Sequence, residues 1–222
     1  MFFDGSDVGV GGVDLSAFAF VDADTILMSF DKALTISTIG VVEKQDVVQF
    51  DATSLGDITA GSFSLYLDGS LVGLDTNGEN IDALEILPDG RLVVSTGSTF
   101  SVPGLSAILS GADEDLIIYN PTTPGPTTPY SWEMYFDGSD VGLANSAGED
   151  VDAFSLDAVG NLYLSTLDIF AVTGIGGFDE DVFVCGPITL GDVTTCTFQT
   201  AFYFDGSTWN LSADDIDGLE LP

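Results

Sequence analysis

The stretch IDALEILPDGRLVVST, residues 81–96, decides the fold. Two short apolar runs with period-two alternation flank Pro88, Asp89 and Gly90, and these turn residues predict an antiparallel hairpin. Leu84 and Ile86 share one face, with the small Ala83 on the other. The stretch recurs as VDAFSLDAVGNLYLST at 151–166, in shortened form as IDGLELP from Ile216, and in degenerate form as VDLSAFAFVDADTILMSF at 13–30.

Two further phrases repeat around it. FFDGSDVGV at 2–10 returns as YLDGSLVGL at 66–74, YFDGSDVGL at 135–143 and YFDGSTWNL at 203–211. GADEDLIIYNP at 111–121 returns as GFDEDVFVCGP at 177–187 and more weakly as EKQDVVQFDA at 43–52. Three matches in the same order identify a tandem repeat. Each unit predicts four strands: an inner one (83–87, 153–156), a second (92–95, 162–165), a third (116–119, 182–185) and an outer one (63–67, 132–136, 200–204). FSVPG from Phe100 and FAVTG from Phe170 add a short extra strand between the second and third.

The expected fold is therefore all-β, one repeat domain over 1–222 with three four-stranded antiparallel units at about 11–67, 75–136 and 144–204. An extra outer strand at 1–10 and an inner strand within 205–222 flank the units. An outer strand leading into the next inner strand is how a β-propeller is strung. A threefold β-prism or trefoil-like body, a dimer completing a larger ring, and a strand-exchanging filament are the alternatives, because the flanking strands need partners.

Composition supports the class and narrows the partners. The chain of 222 residues is 45% hydrophobic, enough for a core, and its 26 glycines with few Lys, Glu and Arg favour short strands over surface helices. Against 36 acidic residues stand only Lys32, Lys44 and Arg91, with no histidine, giving a formal charge of −33. Nucleic acid and anionic membranes are repelled, and no apolar run approaches the roughly 20 residues of a membrane span. Of the acids 28 are Asp and 8 Glu, a bias that suits turns and hard-cation coordination, although a halophilic source would also explain the acidity. Met1 leads straight into repeat sequence, as expected of a mature module or a part of something larger.

The phrases YFDGSDVGL, DVDA at 150–153, DGRLVVST at 89–96, DEDL at 113–116 and the ending DDIDGLELP resemble a tandem repeat module of large bacterial secreted or surface proteins. The resemblance covers essentially the whole chain. It implies propeller-like β repeats in an extracellular, multidomain context, and it carries no activity and no catalytic residue. FDGSTW at 204–209 resembles, as a turn only, the Asp-box of sialidase-type propellers, one residue short in its spacing.

In an antiparallel unit the loops before the inner and third strands lie on one face, and here both are acidic. The second unit offers Asp68, Glu79, Asp82, Asp113, Glu114 and Asp115; the third offers Asp137, Asp140, Glu149, Asp150, Asp152, Asp179, Glu180 and Asp181. Clustered oxygen ligands on Gly-rich loops are what Ca²⁺ takes, and one Ca²⁺ per complete unit is expected. Asp82, Asp152 and Asp217 have a structural alternative: inward-facing at the strand mouth, each would accept backbone amides of the next unit. Asp4, Asp68, Asp137 and Asp205, each followed by Gly and Ser, favour Asx turns over metal binding.

Cys185 and Cys196, eleven residues apart across a turn-like stretch, are placed for a disulfide and an oxidising compartment; two buried thiols are the alternative. The segment NPTTPGPTTPYSW at 120–132 predicts an exposed extended loop on the face opposite the acidic loops, its threonines open to O-glycans. Asn210-Leu211-Ser212 fits a glycosylation sequon. Without histidine there is no Ser-His or Cys-His nucleophile. The expected function is non-enzymatic: an extracellular structural or adhesive module, Ca²⁺-stabilised, associating through its flanking strands with itself or other surface proteins. A carbohydrate-binding module using Trp132, Trp209 or Tyr130 is the first alternative, and a carboxylate-dependent glycosidase the second.

Overall fold

The computed structural model describes residues 1–121 and 130–221, so most of the expected Thr/Pro loop lies outside the described residues. The first unit runs β1 (Leu15–Asp22), β2 (Thr25–Phe30), a small hairpin of β3 (Leu34–Ile36) and β4 (Gly40–Val42), then β5 (Val47–Ser54) and β6 (Ala60–Leu67). The second runs β7 (Ile81–Ile86), β8 (Leu92–Thr96), the hairpin β9 (Phe100–Pro103) and β10 (Ile108–Gly111), then β11 (Leu116–Pro121) and β12 (Tyr130–Phe136). The third runs β13 (Ala153–Leu156), β14 (Leu162–Ser165), the hairpin β15 (Phe170–Val172) and β16 (Ile175–Gly177), then β17 (Asp181–Thr189), β18 (Thr195–Phe198) and β19 (Phe204–Asp205).

Each unit is one antiparallel sheet, ordered β1-β2-β5-β6, β7-β8-β11-β12 and β13-β14-β17-β18. The expected extra strand is thus a two-stranded hairpin in every unit. The turn from inner to second strand forms as its residues require: Gly90 and Gly160 take φ of +84° and +87°, while Asp89 and Asp157 accept the amides of Arg91 and Asn161.

The sheets pack face against face. One core joins Ala17, Ala19 and Leu27 of the first sheet to Leu84, Val94, Ile117 and Trp132 of the second. Another joins Ala83, Val93 and Phe136 to Phe154, Leu164 and Phe183 of the third. Small residues on one side of the inner strands, Ala17, Ala83 and Ala153, let neighbouring inner strands approach closely.

A third core lies on the other face of the first sheet, where Ile26, Met28, Phe50 and Phe63 are capped by Val10, with Phe3 and Val8 packed beside it. Residues 2–10 form a turn rather than the expected outer strand and cover the first unit as 66–74 cover the second, held by the Gly56 amide on the Phe2 carbonyl (2.8 Å) and the Asp4 amide on Thr59 Oγ1 (2.9 Å).

One backbone bond repeats three times and fixes the order of units. The amide at the start of an inner strand donates to the loop before the preceding third strand: Ile81 to Lys44 (3.2 Å), Val151 to Asp113 (3.1 Å) and Ile216 to Asp179 (3.2 Å). Residues 216–221 thereby occupy a fourth inner-strand position, without a ladder. They lie between β13, where the Leu221 amide donates to Ser155 Oγ, and β1, where the Phe20 amide donates to Glu220 Oε2, both at 3.3 Å.

The third outer strand departs from expectation. Cys185 pairs with Phe198, whereas aligning the YFDGS phrases at Tyr135 and Tyr203 matches Trp132, the partner of Tyr119, with Thr200 and would pair Cys185 there. Two extra residues loop out before the chain re-pairs at Phe204 with Val182, so the strand expected at 200–204 forms as β18 and β19 instead.

Candidate functional site

The acidic loops do share one face, but their carboxylates divide into two groups. The first is committed to backbone. Asp46, Asp115 and Asp181 each bridge two amides: Glu43 and Gly69 (2.8 and 3.0 Å), Ala112 and Gly138 (both 2.9 Å), and Phe178 and Gly206 (3.1 and 3.2 Å). Glu79 accepts three amides, from Asp75, Thr76 and Ser101, and Glu149 likewise takes Asn145, Ser146 and Ala171. Asp4, Asp68, Asp137 and Asp205 each accept the hydroxyl of the serine two residues on, as Asx turns do. Asp140 Oδ2 accepts the Thr194 amide at 2.9 Å. These side chains close loops, and their lone pairs face N–H and O–H donors.

The second group converges at the mouths of the inner strands. Asp152, at the entrance to β13, is only 6% exposed, and neither of its carboxylate oxygens has a hydrogen-bond partner among the described residues. Among the described residues, no backbone amide of a neighbouring unit caps it as expected. One oxygen each from Asp152, Asp215 and Asp217 lies within 4.8 Å of the others. Oδ1 of Asp82, Asp150 and Asp215 is also buried and unpartnered.

Burial first, then the charges of Asp215, Asp82 and Asp150, raise Asp152 well above the ordinary carboxylate range. Burial and the charge of Asp150 do the same to Asp82. Asp150 is pushed up to about 7 by burial and by Asp113, Glu114 and Asp215; Asp215 reaches about 7 through burial and its neighbour Asp217. Asp113 adds to the charge that raises Asp150, and Asp179 to that raising Asp215.

No cationic side chain compensates this cluster. Lys32 pairs with Asp31, Arg91 with Asp89, and the Lys44 ammonium donates to the Asn77 carbonyl, which accounts for all three basic residues. Of the expected ligands the structure therefore gathers Asp82, Asp150 and Asp152, and gives Asp68, Glu79, Asp115, Asp137, Asp140, Glu149 and Asp181 to loop closure. Asp215 was not singled out from sequence as a ligand, although the repeat of DVDA at 150–153 as DIDG at 215–218 aligns it with Asp150.

A separate feature lies beside residues 216–221. Phe2, Phe18, Phe20, Glu220 and Leu221 line an open, mostly apolar cavity of about 870 Å³. Phe2 is 57% exposed and meets Phe20 edge-on at 5.3 Å. Among the aromatics named for glycan contact, Trp132 is fully buried with its indole N–H on the Val72 carbonyl (2.8 Å), so it belongs to the core. Tyr130 is half-buried, and Trp209 is 68% exposed, stacked on Phe204. Cys185 and Cys196 form a disulfide across β17 and β18 with Cα atoms 5.4 Å apart, and no described helix is long and apolar enough to cross a membrane. Comparison with protein-family models, with curated proteins and with solved structures finds no match to this chain.

Proposed function

We propose that this chain is a non-enzymatic structural or adhesive module of extracellular proteins, and that it associates with a second copy through the open position beside residues 216–221. The observation that carries this is the Ile216 amide on the Asp179 carbonyl, which gives those residues the connection of an inner strand. In the three complete units the inner strand is flanked by a second strand. At the fourth position the neighbouring surface is instead the apolar cavity of Phe2, Phe18, Phe20 and Leu221. Exposed aromatic surface beside an unladdered segment favours strand addition. The disulfide is compatible with an oxidising, extracellular setting.

Light scattering over a concentration series tests the reading. Association that rises with concentration and is abolished by Phe20→Asp is expected. A monomer at every concentration, with wild type and variant alike, refutes it.

A glycan-binding reading keeps one specific support, the exposed Trp209 stacked on Phe204 with ring planes 12° apart. Binding on a glycan array that Trp209→Ala removes would favour it over self-association.

A further inference from the structure

We propose that one Ca²⁺ ion per chain binds between Asp152, Asp215 and Asp217 and fastens residues 211–221 to the third unit. This replaces three peripheral sites with a single one at the mouths of the inner strands, and it gives the ion a mechanical task.

Three observations carry it. Asp152 is more than nine-tenths buried, with both oxygens unpartnered and one of them aimed into the group formed with Asp215 and Asp217. A buried carboxylate without donor or counter-charge is strongly unfavourable, so something must neutralise it. Every Lys and Arg is engaged elsewhere, histidine is absent, and the terminal ammonium pairs with Asp57. The remaining neutralisers are protons or a metal ion.

The donor set selects the metal. Only oxygen is offered, and Ca²⁺ holds oxygens at roughly 2.3–2.6 Å, so ligands on opposite sides of it stand about 5 Å apart. Carboxylate oxygens within 4.8 Å of one another suit that span; Mg²⁺, at about 2.0–2.1 Å, requires them closer and more regular. Asp217 is exposed and gives the ion its way in, while Asp82 and Asp150, each with a buried, unpartnered Oδ1, interact with Asp152.

The ligands also define the consequence. Asp152 belongs to the third unit, whereas Asp215 and Asp217 flank Ile216 in a segment that, among the described residues, is hydrogen-bonded to the sheets by single bonds at Ile216, Glu220 and Leu221. An ion shared between them is the strongest connection that segment can make, and removing it leaves mutually repelling carboxylates there.

The test uses the full chain, stripped of metal and held at constant ionic strength with KCl. Calorimetric titration with Ca²⁺ reads stoichiometry, and hydrogen exchange reads amides 211–221 with Ca²⁺ or EDTA. One Ca²⁺ per chain is expected, with roughly tenfold or greater slowing of exchange in 211–221 and a melting temperature raised by roughly 5–10 °C at a hundredfold excess over Kd. Asp152→Asn should abolish all three effects, and Asp137→Asn should leave them intact. Should Asp152→Asn not fold, Asp217→Asn at the exposed entrance serves, with weakened Ca²⁺ affinity expected. Absence of saturable binding, retained binding in these variants, or equal protection by KCl alone overturns the proposal; the carboxylates are then held by protons or generic screening.

Discussion

Asp115 accepts the amide of Gly138 at 2.9 Å, and the same pairing ties Asp46 to Gly69 and Asp181 to Gly206. In each case the glycine sits directly on the residue before the aspartate: a Cβ on Gly138 would lie 2.3 Å from the Glu114 carbonyl oxygen, and one on Gly69 or Gly206 would lie 2.2 or 2.3 Å from the matching carbonyl. The clash is with backbone, so it cannot be relieved by a rotamer change. Gly138→Ala should therefore destabilise by about 1–3 kcal/mol. Gly12→Ala, with open space around it and no positive φ, should change stability by less than about 0.5 kcal/mol. Urea unfolding of the two variants checks the contrast.

Trp132 joins units rather than facing solvent. Its ring is fully buried among first- and second-unit residues, and its N–H meets the Val72 carbonyl between those units. Trp132→Phe keeps most of the apolar volume and orphans that carbonyl, for an expected loss of about 1–3 kcal/mol. Trp132→Ala should lose about 3–5 kcal/mol through the cavity it opens. Thermal unfolding of both variants separates the hydrogen bond from the packing.

Much of this architecture was legible because the hairpins announce themselves. Alternation in 81–96 and the Asp-Gly turn fixed β7 and β8 to within two residues, and the repeat carried that reading into the third unit. The shifted outer strand was only partly legible: the third unit's phrases at 177 and 203 stand two residues further apart than those at 111 and 135, but where the extra residues loop out shows only in the pairing of Cys185 with Phe198 and Val182 with Phe204. The acidic face was legible as a face, because strand direction dictates it. Which acids were free was not, since Glu79 and Asp152 are both buried acids beside an inner strand and differ only in whether backbone amides reach them. That depends on loop conformation, which alternation does not encode.

The Cys185–Cys196 link closes an eleven-residue separation across β17 and β18, adjoining the looped-out residues. Restricting that hairpin in the unfolded chain should contribute about 2–4 kcal/mol. Reduction, or Cys196→Ala, is expected to lower the melting temperature while leaving the first two units' exchange protection unchanged. Loss of protection throughout β1–β12 instead would mean that the three sheets unfold as one cooperative body.

The pH dependence of stability should run opposite to that of most proteins. Glu220 is pushed up to about 7 by burial and by the charge of Glu85, which burial itself raises. Glu114 and Asp115 are raised to about 7 and about 6, burial again being the main cause. A carboxyl whose folded pKa exceeds its unfolded one binds its proton more tightly in the native state, so its stabilising effect is complete below the unfolded value and disappears as pH rises through the folded one. In EDTA and low salt, stability should fall steadily between about pH 4.5 and 7. The opposite contribution comes from Asp4, Asp22 and Asp89, lowered respectively by the Ser6 hydroxyl, the Asp24 amide and the Arg91 amide; they lose stabilisation only under more acid conditions. Maximum stability is therefore expected near pH 4–5, below the roughly pH 5–8 usual for proteins. Glu220→Gln removes one of the raised groups and relieves Glu85, so its stability should decline less over the same window. A melting temperature that instead rises from pH 5 to 7, or an equal slope in Glu220→Gln, would show that these carboxyls are not held protonated by the fold.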